Sequence, residues 1–294
     1  DAILTMDKFS NSLPVAIASI GSSKITLLVG SAITVGADAT IPDNIILWFV
    51  GPGKLFVNSG KVLTINSPSQ VLAHTQQQVF DGTGTVSFTN GGIVSPGWWG
   101  FSSGGTAAAN ADAYNACTAS LTATGGAIVI PPTGAAHQVD DTLTHPAKPM
   151  SVIGAHPELS IIESTATASL KHGLTFTRSH HVRNLTIKTS ASLASNYDMY
   201  GVRMDLDGVT VSGGNQAVKW ESVKVRGFNN SFYCDGGDAY NVDRLYFNDL
   251  DAQCSGPAST YIGSCLYINR VTQVYGTHSQ FDQNSTGPST PGTS

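Results

Sequence analysis

Apolar and polar residues alternate in short runs along the first third of the chain. Ile25–Val29, Ile45–Val50, Lys54–Val57 and Val62–Ile65 are rich in β-branched and aromatic side chains. Gly30, Pro42-Asp43-Asn44, Gly51-Pro52-Gly53 and Asn58-Ser59-Gly60 separate them. Alternation bounded by turn residues predicts strands. The turns are too irregular for a hairpin meander, so residues 1–97 are expected to form a small β-helical module.

The pattern then changes. The segment 106–124 is rich in alanine, the best helix former. Tyr114, Cys117 and Leu121 are spaced to give one narrow apolar stripe. This predicts one helix over about 106–124, stopped by Gly125-Gly126. A lone amphipathic helix ahead of a run of strands is expected to cover the first apolar level as a cap.

Four later segments share an apolar spacing. They begin at Val182, Trp220, Val242 and Ile268. The first three have apolar residues at offsets zero, three and five; the last has them at zero, three and six. Their starts are 38, 22 and 26 residues apart. The two shorter intervals suit single coils of a solenoid, and the longest suits a coil plus an excursion near 190–200. Helical periodicity is missing between them, which argues against alternating βαβ units. Leu185, Val223, Leu245 and Val271 are the expected core. The fold expected is all-β: a right-handed parallel β-helix over residues 98–283, with a Ser/Thr/Gly/Pro linker or tail at 284–294.

The 294 residues are 41% hydrophobic, enough for a sizeable core, but only 12% charged. That is about half the usual charged share. Such a surface is wet without being charged, as suits a solenoid or a carbohydrate-facing protein. A net charge of −5 gives no electrostatic reason to bind nucleic acid. No run of 18 apolar residues occurs, so membrane insertion is not expected. A start at Asp1 and an end without a cap read as a piece of a longer protein, or as an end covered by another chain.

Trp99-Gly100-Phe101, the helix and the Gly126–Gly134 "Gly, apolar strand, Pro-Pro, Gly" element together resemble the entry to the pectate-lyase-like superfamily domain of phage tailspikes and secreted polysaccharide-active proteins. Gln78–Gly84 resembles the linker that often precedes it. The resemblance covers roughly residues 24–275 in organisation, with its specific motifs between 78 and 154. It departs where the family often carries an Asp-rich run before the helix: Ser102–Ala107 stands there, and Asp140-Asp141-Thr142 comes only after the strand. The resemblance implies a tailspike or tail-fibre subunit in a virion tail. Such a subunit would be a homotrimer, would contact other tail proteins, and would recognise or depolymerise a host polysaccharide. A secreted or cell-surface lyase or hydrolase and a non-catalytic structural solenoid are the alternatives. The Asn-Thr-Asp, Asp-Asp, Gly-His-Gly and Arg-Ile-Lys set of the galacturonase-like members does not occur.

If offsets zero, three and five point inward, the others form outward ladders. Offset one gives Arg183, Glu221, Asp243 and Asn269; offset two gives Asn184, Ser222, Arg244 and Arg270; offset four gives Thr186, Lys224, Tyr246 and Thr272. Lys224, Arg244, Tyr246 and Arg270 are the expected polysaccharide contacts, because aromatic faces stack on sugar rings and cations bond hydroxyls or uronates. Glu221 and Asp243 would stand on successive coils, near the ~5–5.5 Å of a retaining glycosidase pair, as acid and nucleophile. The plainer alternative is mutual charge neutralisation along the ladder.

No cofactor motif is present, and the eight histidines lack metal-ligand spacing, so no metal is expected. Asp235-Gly236-Gly237-Asp238, with Asp249 and Asp251, reads as turns rather than a calcium loop. Cys254 and Cys265 bracket a Gly/Ser/Pro segment that a disulfide would close; alternatively Cys117, Cys234, Cys254 and Cys265 are small buried residues. Trp98 and Trp99, if extended, would point to opposite faces, the outer one towards a sister chain.

Overall fold

A computed structural model describes residues 2–121, 124–166, 172–189, 199–206, 216–228, 230–236, 242–256 and 265–285. Residues 190–198 of the predicted 190–200 excursion, Asp238, and most of the Cys254–Cys265 segment and of the tail lie outside the described residues. Within these residues the chain is mostly β, and its sheets are parallel.

From Ile25 to Phe88 the chain visits three sheets in rotation. Ile25–Val29 pairs with Ile45–Phe49, Ala32–Val35 with Lys54–Val57, and Ala39–Ile41 with Val62–Ile65. The four strands expected from alternation occur with nearly the expected bounds. Their inward residues, among them Leu27, Leu47, Leu55 and Leu63, are fully buried. Gly53 sits where an added Cβ would lie 1.8 Å from the Val29 carbonyl oxygen, so backbone of one level packs directly on the next.

Two helices occur among the described residues. Helix α1, Leu13–Ile20, buries Leu13, Ala16 and Ile20. It was not anticipated, although Pro14 in its first turn and Gly21 after it mark its ends. Helix α2, Ala107–Ala119, is the one expected. The Thr106 hydroxyl accepts from the Ala109 N–H at 3.3 Å as its N-cap. Tyr114, Cys117 and Leu121 are all buried. Buried Asn110 bonds Ser102 N–H and O and the Gln138 carbonyl, each at 2.9 Å, fixing the Gly/Ser entry to the following strand.

Trp98 and Trp99 are not extended. They lie in a 3-10 turn, Pro96–Trp99, and both rings pack on Phe80, at 6.5 and 5.0 Å. The turn places the two rings on one side, so the in-and-out arrangement does not form.

Beyond Gly91, a ten-stranded and a five-stranded parallel sheet carry the chain. The first two repeats align as expected: Val182 opposes Trp220 and Leu185 opposes Val223. The next two are corrected. Trp220 opposes Phe247, not Val242, and Val223 opposes Leu250. Leu245 opposes Val218, and Val271 opposes Val242, while Ile268 belongs to the five-stranded sheet. Leu185, Val223 and Leu245 are fully buried, and Val271 is partly so.

The backbone explains the slip. Asn184, Ser222, Asp249 and His278 all have φ between 47° and 57°, and they occupy equivalent places in the stacked strands. A left-handed residue turns the strand and resets the in–out alternation, which is why buried positions fall at zero, three and five. Phe247-x-x-Leu250-x-Ala252 has that spacing around Asp249. Val242-x-x-Leu245-x-Phe247 mimics it through a register irregularity near Asp243.

The core between the sheets holds an aromatic–histidine stack. His145 stacks on Phe176 at 4.0 Å, Phe176 on His180 at 3.9 Å, and Trp220 follows at 6.1 Å. The Tyr114 hydroxyl contacts His145 Nε2 at 2.9 Å, and His145 Nδ1 contacts the Thr175 carbonyl at 2.9 Å. Trp220 Nε1 donates to His180 Nε2 at 2.9 Å, and His180 Nδ1 reaches the Arg178 carbonyl at 3.2 Å. Each ring is thus satisfied as a neutral imidazole carrying its proton on Nδ1.

Candidate functional site

The outward face of the ten-stranded sheet carries most of the residues singled out from sequence, but in a different grouping. Glu221 lies beside Asn248 on the next strand. Asp243 stands at the strand irregularity, 3.3 Å from Arg244. The expected Glu221–Asp243 pair on successive levels therefore does not form. Glu221 instead bonds Lys219 at 3.1 Å and His181 at 3.0 Å. Lys219 first, then His181, holds its carboxyl below the usual range, suiting a charge-pairing role better than a proton donor's.

Lys224 is ion-paired with Glu158, and it opposes Asp251 rather than Tyr246. Tyr246 opposes Lys219 and stacks on Tyr275 with centroids 5.0 Å apart and planes within 9°. Lys219, Tyr246, Phe247, Asn248, Tyr275 and Thr277 line a shallow cleft of about 230 Å³. Arg244 is exposed but does not line the cleft. Asp249 is the left-handed corner residue and Asp251 pairs with Arg226, so neither belongs to an acidic cluster.

Arg270 belongs elsewhere. It follows the Leu266–Asn269 strand and lies 3.8 Å from Asp235 on the five-stranded sheet. That sheet carries the more developed polar surface. In three neighbouring strands Arg203, Tyr233 and Tyr267 are directly opposite, and Asp205, Asp235 and Asn269 form the next row. Tyr200 lies 4.7 Å from the Tyr233 ring, and Tyr233 stacks on Tyr267 at 4.7 Å with planes within 5°. Arg203 sits over Tyr200 and Tyr233, 5.3 and 5.7 Å from their centroids.

The polar groups are tied together. Arg203 pairs with Asp205 and bonds His172 Nε2 at 2.8 Å. Burial, and then Arg203, pushes His172 down to about 4, so it faces Arg203 as a neutral acceptor. Asp235 accepts from the Tyr233 hydroxyl at 3.2 Å and from Asn269 at 3.1 Å. Burial, then the Asp205 and Asp235 charges, raises the Tyr233 phenol, which therefore remains a donor at neutral pH.

This surface offers hydroxyl, guanidinium and amide groups and the Asp205 carboxylate at neighbouring-strand spacing, about 4.8 Å, with the Asp235 carboxylate buried among them. Tyr267, on the last strand of this sheet, is the most exposed of its rings. The surface is equipped for hydrogen-bonding a polyhydroxylated chain and stacking on one of its rings. Of this set the sequence reading chose only Arg270. Its remaining signal was the recurrent polar–apolar–polar ending in Arg203-Met204-Asp205, Tyr233-Cys234-Asp235 and Tyr267-Ile268-Asn269.

Among the described residues no group of three His, Cys, Asp or Glu is placed to hold a metal ion. Nor is any helix there long and apolar enough to cross a membrane. No family model matches the chain, and comparisons with curated proteins and with solved structures find no match.

Proposed function

We propose that the chain is a right-handed parallel β-helix of the tailspike or tail-fibre kind, which binds a host-surface polysaccharide through its five-stranded sheet. The rotation of successive strands through parallel sheets supports the architecture. The observation that carries the function is the Tyr200–Tyr233–Tyr267 ladder with Arg203, Asp205, Asp235 and Asn269 beside it. A parallel homotrimer in a virion tail, in contact with other tail proteins, completes this reading.

The charge pairing of Glu221 with Lys219 and His181, away from Asp243, favours recognition over hydrolysis by those two carboxylates. The test is affinity electrophoresis of the purified chain through gels containing capsular and lipopolysaccharide O-chain preparations. Retardation by one of them, lost in Tyr233→Ala and Tyr267→Ala and kept in Arg244→Ala, supports the reading. Uniform migration in every gel overturns it.

A further inference from the structure

We propose that Cys254 and Cys265 are a redox-active thiol pair, closed to a disulfide by a low-molecular-weight disulfide such as oxidised glutathione. Both are free thiols in the structure. Two independent sets of contacts bring them together. Cys254 lies opposite Gln283, and the Cys265 thiol donates to the carbonyl of the adjacent residue, Asp282, at 3.2 Å. On the other side Ser231 Oγ is 3.4 Å from Cys254 Sγ, while the next residue's N–H, that of Phe232, donates to the Cys265 carbonyl at 3.1 Å. The same neighbours thus bracket both sulfurs.

The other two cysteines differ. Cys117 and Cys234 are fully buried, and burial pushes both thiols up, Cys234 to about 12. They are chemically silent at neutral pH. Interaction with Cys265, and then Ser231, holds the Cys254 thiol down to about 7, while Cys254, and then burial, pushes Cys265 up, so the first proton leaves from Cys254 and Cys265 reacts by exchanging its own with it. Cys265 is the more exposed partner and meets the reagent.

The chemistry balances. Cys265 passes its proton to Cys254 and attacks one sulfur of R–S–S–R, expelling RS⁻. Cys254 then loses its proton to that RS⁻ and attacks the Cys265 sulfur of the mixed disulfide, expelling the second RS⁻, which takes the proton released by the pair. The two protein thiols are oxidised by two electrons, and the reagent leaves as two RSH. The bond would tie the strand ending at Gly256 to the one carrying Tyr267 and Asn269, at the outer end of the tyrosine ladder.

The native chain is incubated with oxidised glutathione at pH 7.5, acid-quenched and alkylated under denaturing conditions, then mapped by mass spectrometry. The expected result is a Cys254–Cys265 cross-linked peptide, with Cys117 and Cys234 fully alkylated. Cys254→Ser should instead trap a stable glutathione adduct on Cys265. A wild-type chain that keeps all four thiols, retains the mixed disulfide, or links either cysteine to Cys234 overturns the proposal. The wild-type map decides this even if the variant fails to fold.

Discussion

Lowering the pH from 7 to 5 should destabilise this protein through two histidines in its core. His145 and His180 are buried in the aromatic stack, and burial pushes them down to about 4 and about 3 from an ordinary 6.5. In the unfolded chain both titrate near 6.5, so below that value the unfolded state binds more protons and stability falls with pH. The stabilisation is fully present above about pH 6.5 and is lost progressively as pH falls towards the folded-state values. At pH 5 each histidine costs about 2 kcal/mol relative to the neutral form, about 4 kcal/mol together. Carboxylates held low in the folded state, such as Glu221 and Asp81, lose their contribution mainly below about pH 4.5, so the pH 5–7 window isolates the imidazoles. The assay is urea unfolding at both pH values. With an m value of about 3 kcal/mol/M, these two histidines alone should lower the midpoint by about 1 M, and His172 adds to the drop. His145→Gln with His180→Gln should remove that part of the dependence, whatever its effect at pH 7, and leave the part carried by buried His172, also pushed down to about 4; glutamine at 180 keeps an acceptor available to Trp220 Nε1. Equal wild-type midpoints at pH 7 and 5, or imidazole resonances of these two residues titrating near 6.5, would refute the argument.

Other outcomes follow from named contacts. Tyr267→Ala should weaken polysaccharide binding about tenfold without lowering the thermal midpoint much, because the ring is half exposed; isothermal titration and a melt separate the two effects. Glu221→Gln should change stability by under about 1 kcal/mol, because its partners are surface groups, and should leave gel retardation intact. Leu185→Ala empties a fully buried position and should cost about 2–5 kcal/mol in urea unfolding. Ser222→Val should cost about 1–2 kcal/mol, because its φ of 51° disfavours a β-branched side chain, whereas Ser222→Gly should be neutral or stabilising; the opposite order would sink the corner account.

Strand positions in the first third were legible because each turn carries its own residues: Pro42-Asp43-Asn44, Gly51-Pro52-Gly53 and Asn58-Ser59-Gly60 bound segments whose alternation survives in the structure. Helix α2 was legible from alanine content and its buried stripe. Helix α1 is short and almost wholly apolar, so it lacked the polar face that makes periodicity visible. The tyrosine ladder was missed for a different reason. Tyr200, Tyr233 and Tyr267 are separated by long stretches of chain, and only parallel pairing makes them neighbours.

The sequence by itself determined which residues are buried and that they lie on short strands, because burial follows side-chain chemistry and alternation follows strand geometry. It also singled out Asn184-Leu185 and Ser222-Val223 as equivalent. Only the tertiary structure decided the register beyond them. Two overlapping segments, Val242–Phe247 and Phe247–Ala252, satisfy the same apolar spacing, and side-chain hydrophobicity cannot tell a left-handed corner from a strand irregularity. The choice is made by backbone: the corner at Asp249 stacks on those at Ser222 and Asn184, which keeps the strands in register on both sides of the corner. That choice moved Asp243 away from Glu221 and assembled the outer faces from residues that sequence spacing alone does not bring together.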